Sequence, residues 1–195
     1  MKIAKIVGSN SHIAYYARVL DGGDTEAVPG PDDYGFGKFV SITFDNETIV
    51  GVICDSRLVN PEYSNAAPRM SGTPALGELK RDLVDEQKAL VGILLLGSVK
   101  DNVPMQDIPR RVVPAGQFVF TMETDAITGF HRSPDGSVQI HYFSNLIAQS
   151  GSLAIPLAKT IIEQLSPHCS EFDRQRLTVM ANALTWKHTF GDLRI

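Results

Sequence analysis

"KFVSITFDNETIVGVICDSRLV", residues 38–59, decides the fold. Two runs rich in β-branched and aromatic residues flank the polar triplet Asp45-Asn46-Glu47. Branched side chains suit a pleated surface, and Asp and Asn tolerate turn backbone, so the stretch reads as a β-hairpin. Side chains alternate between faces along a strand: Phe39, Ser41 and Thr43 share one face of the first arm, and Val40, Ile42 and Phe44 share the other.

Reading outward, "KIAKIVGS" and "HIAYYARVL" are further strands, split by the turn cluster Gly8-Ser9-Asn10-Ser11. "DGGDTEAVPGPDDYGFG" (21–37) offers little to bury and reads as an exposed loop. "ALVGILLLGSV" (89–99) is apolar at consecutive positions, as in a central strand buried on both faces, and "QFVFTM" (117–122) is another strand. Between them, 60–74 reads as a loop. Leu76, Leu79 and Leu83 recur at helical spacing in 75–88, whose charges from Glu78 to Lys88 form a solvated face.

Helical character takes over after Glu123. "ETDAITGFH" predicts a short helix capped by Thr121 or Thr124, and "PDGSVQIHYF" a turn leading into a short strand. "SLAIPLAKTIIEQL" (152–165) predicts a helix ended by Ser166-Pro167. A last helix runs over about 170–189, with Ser170 as N-cap and Asp173 three residues on. Its Phe172, Arg176, Val179, Met180, Ala183, Leu184 and Lys187 share a face that should cover the rest of the protein or a partner. Many short strands around one very apolar strand favour closure, which removes exposed edges. The expected fold is mainly β (α+β): a small closed β-barrel over 1–122, a helix-hairpin extension over 123–150 and a helical tail over 151–195.

The chain has 195 residues, 43% hydrophobic and 21% charged, with net charge −4 and pI near 5.7. That balance argues against a free-standing nucleic-acid binder, which needs a net basic face, and leaves room only for a local basic patch. Cys54 and Cys169 have no paired spacing, so reduced thiols are expected. The apolar run 89–99 is too short for a bilayer, which takes about 20 residues, and "MKIAKIVGSNSH" reads as a strand without the apolar core of a signal peptide. The expectation is a soluble, cytoplasmic protein.

"QSGSLAIPLAKT" (149–160) ends in Lys159-Thr160, as a phosphate-binding P-loop does. The two glycine positions of that motif fall on Leu153 and Ala158, and Pro156 removes an N–H from the middle of the cradle. The acid of the "VGVICD" run, Asp55, precedes the lysine, the wrong order for a metal-binding partner strand. The stretch reads as an apolar helix with an exposed lysine, and ATP hydrolysis is not expected.

His131 and His141 stand ten apart across a turn, without the third ligand a catalytic zinc needs. His168 and Cys169 are adjacent at a helix start and read as capping or solvated groups. Cys54 lacks a nucleophile's base and reads as packing. No catalytic residue, metal or cofactor is assigned. The candidates for a partner or oligomer interface are Asp55 and Arg57, which can form an ion pair or an oligomer contact, and Arg110-Arg111 in "DIPRRVVP", a solvated loop able to touch DNA phosphate or an acidic partner. Trp186 joins them as core or interface anchor.

The segments "KIVGSNSHIAYYARV", "GFGKFVSITFDNETIVGVICDSRLVN", "KALVGILLLGSV", "MQDIPRRVVPAGQFVFTME" and "ITGFHRSPDGSVQIHYFSN", in that order, carry a resemblance over residues 1–150. They resemble the HAS-barrel, the amino-terminal barrel of HerA-type hexameric DNA translocases, related to the barrel at the crown of the rotary ATP synthase catalytic ring. Asp107-Ile108-Pro109, Ala115-Gly116, Phe130-His131 and Asp135-Gly136 stand where that family has its "DIP…AG" segment, short helix and hairpin. Beyond Ser150 the chain departs from the family, with no room for the RecA-like ATPase. The resemblance implies a docking module without its engine: self-association, a NurA-like nuclease or related ring ATPase as partner, a role in DNA-end processing or repair, and nucleic-acid contact that is weak or made through the partner. The rival expectation is an enzyme or small-molecule-binding barrel with a pocket between barrel and helices. Convergence of His131, His141 and Glu123 in one pocket favours that rival, and an exposed apolar patch on the last helix or barrel rim favours docking.

Overall fold

The computed structural model describes residues 1–59 and 88–191, with side chains for 1–58 and 89–183. The predicted loop 60–74 and helix 75–88 lie outside the described residues, except for Lys88, which opens a strand instead.

Among the described residues seven strands form: β1 (Lys2–Ser9), β2 (Ala14–Val19), β3 (Phe39–Phe44), β4 (Glu47–Val59), β5 (Lys88–Lys100), β6 (Val103–Met105) and β7 (Phe118–Thr121). They run in the order β2-β1-β7-β3-β4-β5, and β5 returns to β2, so six strands close an antiparallel barrel with β6 hung on its outside. The expected closed barrel is the observed one.

The hairpin forms as its pattern predicts. Phe44 pairs with Glu47 across the two-residue turn Asp45-Asn46, where Asp45 adopts φ +53°. Val40, Ile42 and Phe44 are buried while Ser41 and Thr43 are not, and Phe39 is covered from outside. Strand β5 is buried at every position from Val91 to Ser98, as its apolar run predicts, and it pairs with three strands: β4 along its whole length, β2 at Leu90–Leu94 and β6 at Ser98–Lys100. Asp101-Asn102, with φ +50° and +61°, make the turn into β6. Gly97 lets β6 fold back: a Cβ there would collide with Met105 O and Gln106 Cα. Pro104 fits an edge strand, since it has no N–H to donate.

Four helices follow: α1 (Thr124–His131), α2 (Phe143–Gln149), α3 (Ala154–Leu165) and α4 (Glu171–Gly191). Along α3 the buried residues Ala154, Leu157, Ala158, Ile161, Ile162 and Leu165 make one face, leaving Lys159 exposed on an ordinary helix. Thr160 packs against Gly37, whose φ of +81° and lack of Cβ allow the close approach, and Gln164 Nε2 donates to Gly37 O at 2.8 Å.

Two expectations are corrected, and a third is narrowed. The N-cap of α1 is Glu123, without a side-chain capping bond, rather than Thr121 or Thr124. The strand expected after Asp135-Gly136 is a single bridge between Arg132 and Val138, because the chain turns at once into α2. Among the described side chains of α4 the buried residues are Asp173 and Leu177, while Phe172 and Val179, of the face expected to cover the protein or a partner, are 71% and 67% exposed and do not cover the barrel. The cap gives the reason: Ser170 Oγ accepts from Asp173 N at 3.1 Å and donates to Asp173 Oδ2 at 2.8 Å, which turns the Asp173–Leu177 side inward.

Candidate functional site

Helix α1 carries His131 down onto β3. Nδ1 donates to Ile127 O at 2.7 Å, so Nε2 is the acceptor for the Tyr142 hydroxyl at 2.8 Å. The Phe39 and Phe130 rings meet the imidazole edge-on at 5.2 and 5.0 Å. Burial lowers the His131 pKa to about 4 and raises that of Tyr142, so both are neutral at pH 7. Beside them the buried Gln106 donates to Phe130 O and Gln139 O, each at 3.0 Å, and accepts from His141 N at 2.7 Å. With both ring nitrogens and both ends of the amide engaged, the cluster acts as a strut tying α1 and the following turn to the barrel.

His131, His141 and Glu123 do not converge. His131 lines a cleft of about 150 Å³ with Arg132, His168, Cys169 and Asp173. Glu123 lines a mostly apolar groove of about 480 Å³ along α1, with Val50, Val99, Met122 and Phe130. The His141 side chain is exposed and lines neither. Burial, reinforced by Asp55, raises the Cys54 thiol to about 11, and it donates to Gly92 O at 3.5 Å. Burial also raises Cys169, which donates to Leu165 O at 3.0 Å. Neither thiol is a thiolate at neutral pH. Among the described residues no group of three His, Cys, Asp or Glu is arranged to hold a metal ion.

The residues singled out for an interface separate into three places. Asp55 and Arg57 sit on β4 beyond its pairing with β3, joined by Arg57 Nε to Asp55 Oδ2 at 3.2 Å, with the guanidinium 5.3 Å from the Tyr16 ring centre. Arg111 is a latch: it pairs with Asp45 and with Glu47 at 3.8 Å and lies 4.9 Å over the Phe44 ring, fastening the β6–β7 connection to the β3–β4 turn. Its neighbour Arg110 is exposed and forms no ion pair among the described residues. Trp186 lies on α4, seven positions past Val179; its side chain is outside the described residues.

Sequence reading missed the apolar residues around Arg110. Val103, Met105, Ile108 and Val112 are 59%, 42%, 50% and 64% exposed within one ten-residue stretch. The available signal was their occurrence in a proline-rich segment with neither strand nor helix periodicity.

The fold and surface thus define a closed antiparallel barrel with a helical flank, whose apolar side chains are displayed at the edge strand. Among the described residues no helix is long and apolar enough to cross a membrane. The chain belongs to the family described as Domain of unknown function (DUF8166), which it matches over residues 1–194. No curated protein matches it.

Proposed function

We propose that this protein is a HAS-barrel-like docking module that works by contact rather than by catalysis. In the cytoplasm it associates with itself and with a NurA-like nuclease or related ring ATPase, in DNA-end processing or repair. The observation that carries the reading is the Val103–Val112 stretch. Four exposed apolar side chains lie, in sequence, within eight positions of Arg110, which forms no ion pair among the described residues, and Arg111 beside it is latched to the β3–β4 turn. A patch of that kind on a rigid scaffold is the anatomy of an interface: apolar contact supplies energy and the cation orients an acidic partner. Exposed Phe172 and Val179 on α4 offer a second contact.

The test is light scattering on the eluting protein, with recovery of the tagged chain from its native cell. Wild type should elute above monomer mass and bring down a nuclease or ring ATPase; Ile108→Asp with Val112→Asp should elute as a folded monomer without that partner. A monomeric wild type that recovers neither partner class overturns the reading. The groove along α1 supports a second reading, a small-molecule site, because its size and apolar lining suit a ligand. Protection of Met122 from oxidation by a bound metabolite would favour it.

A further inference from the structure

Strand register assembles a row on the outside of the barrel. Phe118 lies beside Lys5, Lys5 beside Arg18, Arg18 beside Leu90, and Leu90 beside Arg57. With strands about 4.8 Å apart, five neighbours span roughly 19 Å. Alternation puts the row outside: Ala4, Ile6, Ala17, Val19 and Val119 are buried, while Lys5, Arg18 and Phe118 between them are half-buried. Lys2 joins from the end of β1. Its Nζ lies 3.9 Å from the Phe118 ring centre, and that of Lys5 lies 5.5 Å away.

Beside the row stands Tyr16, with glycine in register on both sides, Gly8 on β1 and Gly92 on β5. A Cβ added to Gly8 would meet nothing within 4 Å, so the space on that side of Tyr16 is open. The charges divide into two groups. Arg18 is committed to Asp21 and Asp24, at 3.2 and 2.7 Å, and Arg57 to Asp55. Lys2 and Lys5 form no ion pair among the described residues, and their ammonium groups rest on an aromatic ring.

Two ammonium groups without an ion pair, resting on the Phe118 ring, and a second outward ring, Tyr16, with the Arg57 guanidinium 5.3 Å from its centre, suit a ligand that is both anionic and flat-faced, which the lysines meet by leaving the ring. An acidic peptide would engage the lysines and leave the rings without a partner. A duplex offers phosphates but keeps its base faces stacked inside. A single strand presents both phosphates and open bases. We propose that this face of β7, β1 and β2 binds single-stranded nucleic acid without sequence preference, Lys2 and Lys5 meeting phosphates while Phe118 and Tyr16 stack on bases. The face is separate from the Val103–Val112 stretch, so the inference stands or falls independently of the docking function. With two phosphate contacts on a protein of net charge −4, binding is weak, and log affinity should fall against log salt with a slope of about −1.4.

The test is fluorescence anisotropy with labelled oligo-dT at low salt, using the full chain. Expected results are binding with that salt slope, loss of binding in Lys2→Glu/Lys5→Glu, and about tenfold weakening in Phe118→Ala with the slope unchanged. All three side chains point outward, so circular dichroism melts should match wild type; if Phe118→Ala melts early, the lysine variant alone decides. No binding of oligo-dT, equal affinity for a duplex of the same length, displacement by polyglutamate as effective as by oligo-dT, or wild-type affinity in the lysine variant each overturns the proposal.

Discussion

His131 makes stability depend on pH in a defined window. Its pKa is about 4 in the folded protein, against about 6.5 in an unfolded chain. As pH falls, the unfolded state takes up the proton first, so stability is full above about pH 6.5, drops down to about pH 4 and is flat below. The drop amounts to about 3 kcal/mol. Urea titrations at several pH values should show it, and His131→Asn should remove the slope from this window. Asp135, lowered to about 2 by its bonds from Ser137, favours the fold at neutral pH, and that contribution is lost only at more acid pH, from about 3.8 down to 2. Gln106→Leu removes the partner of three backbone groups and should cost about 3 kcal/mol in the same titrations. None of this was legible beforehand. Gln106 is one polar residue in "MQDIP", and its partners lie 24 to 35 positions away, beyond any periodicity. His131 was noticed, but only for its spacing to His141, which lacks a third metal ligand and carries no information about a tyrosine hydroxyl.

Helix α4 rests on Leu177 far more than on its aromatic neighbour. Leu177→Ala should destabilise the protein by about 2–4 kcal/mol, whereas Phe172→Ala and Val179→Ala should change it by about 0.5 kcal/mol or less, readable as shifts in thermal midpoint. Periodicity identified the helix, its extent and its Ser170 cap, but did not show which side packs against the barrel. A 21-residue helix with apolar residues at Phe172, Leu177 and Val179 has two candidate faces, and the cap geometry that picks one is a tertiary fact. The β3–β4 hairpin and β5 were legible because their alternation and unbroken apolar run have few other physical readings. The strand β6 has three residues including Pro104, and α2 has seven, both too short for a pattern to repeat.

Barrel closure joins the ends of the β-rich region: β1 lies between β2 and β7, and β7 in turn bridges β1 to β3. Many short strands around one very apolar strand implied a barrel, but strand order was not readable, because pairings such as Lys5 with Phe118 depend on closure rather than local sequence. A fragment ending before Phe118 leaves one edge of β1 and one of β3 unpaired. It should lose the cooperative melt of the full chain and aggregate, which sedimentation would reveal. The same topology bears on synthesis. While the ribosome is still making the first half of the protein, the β1–β2 and β3–β4 hairpins can form, but the other edge of β1 must wait for β7 to emerge. Its apolar residues are therefore clients for a chaperone until the last strand of the ring is released from the exit tunnel.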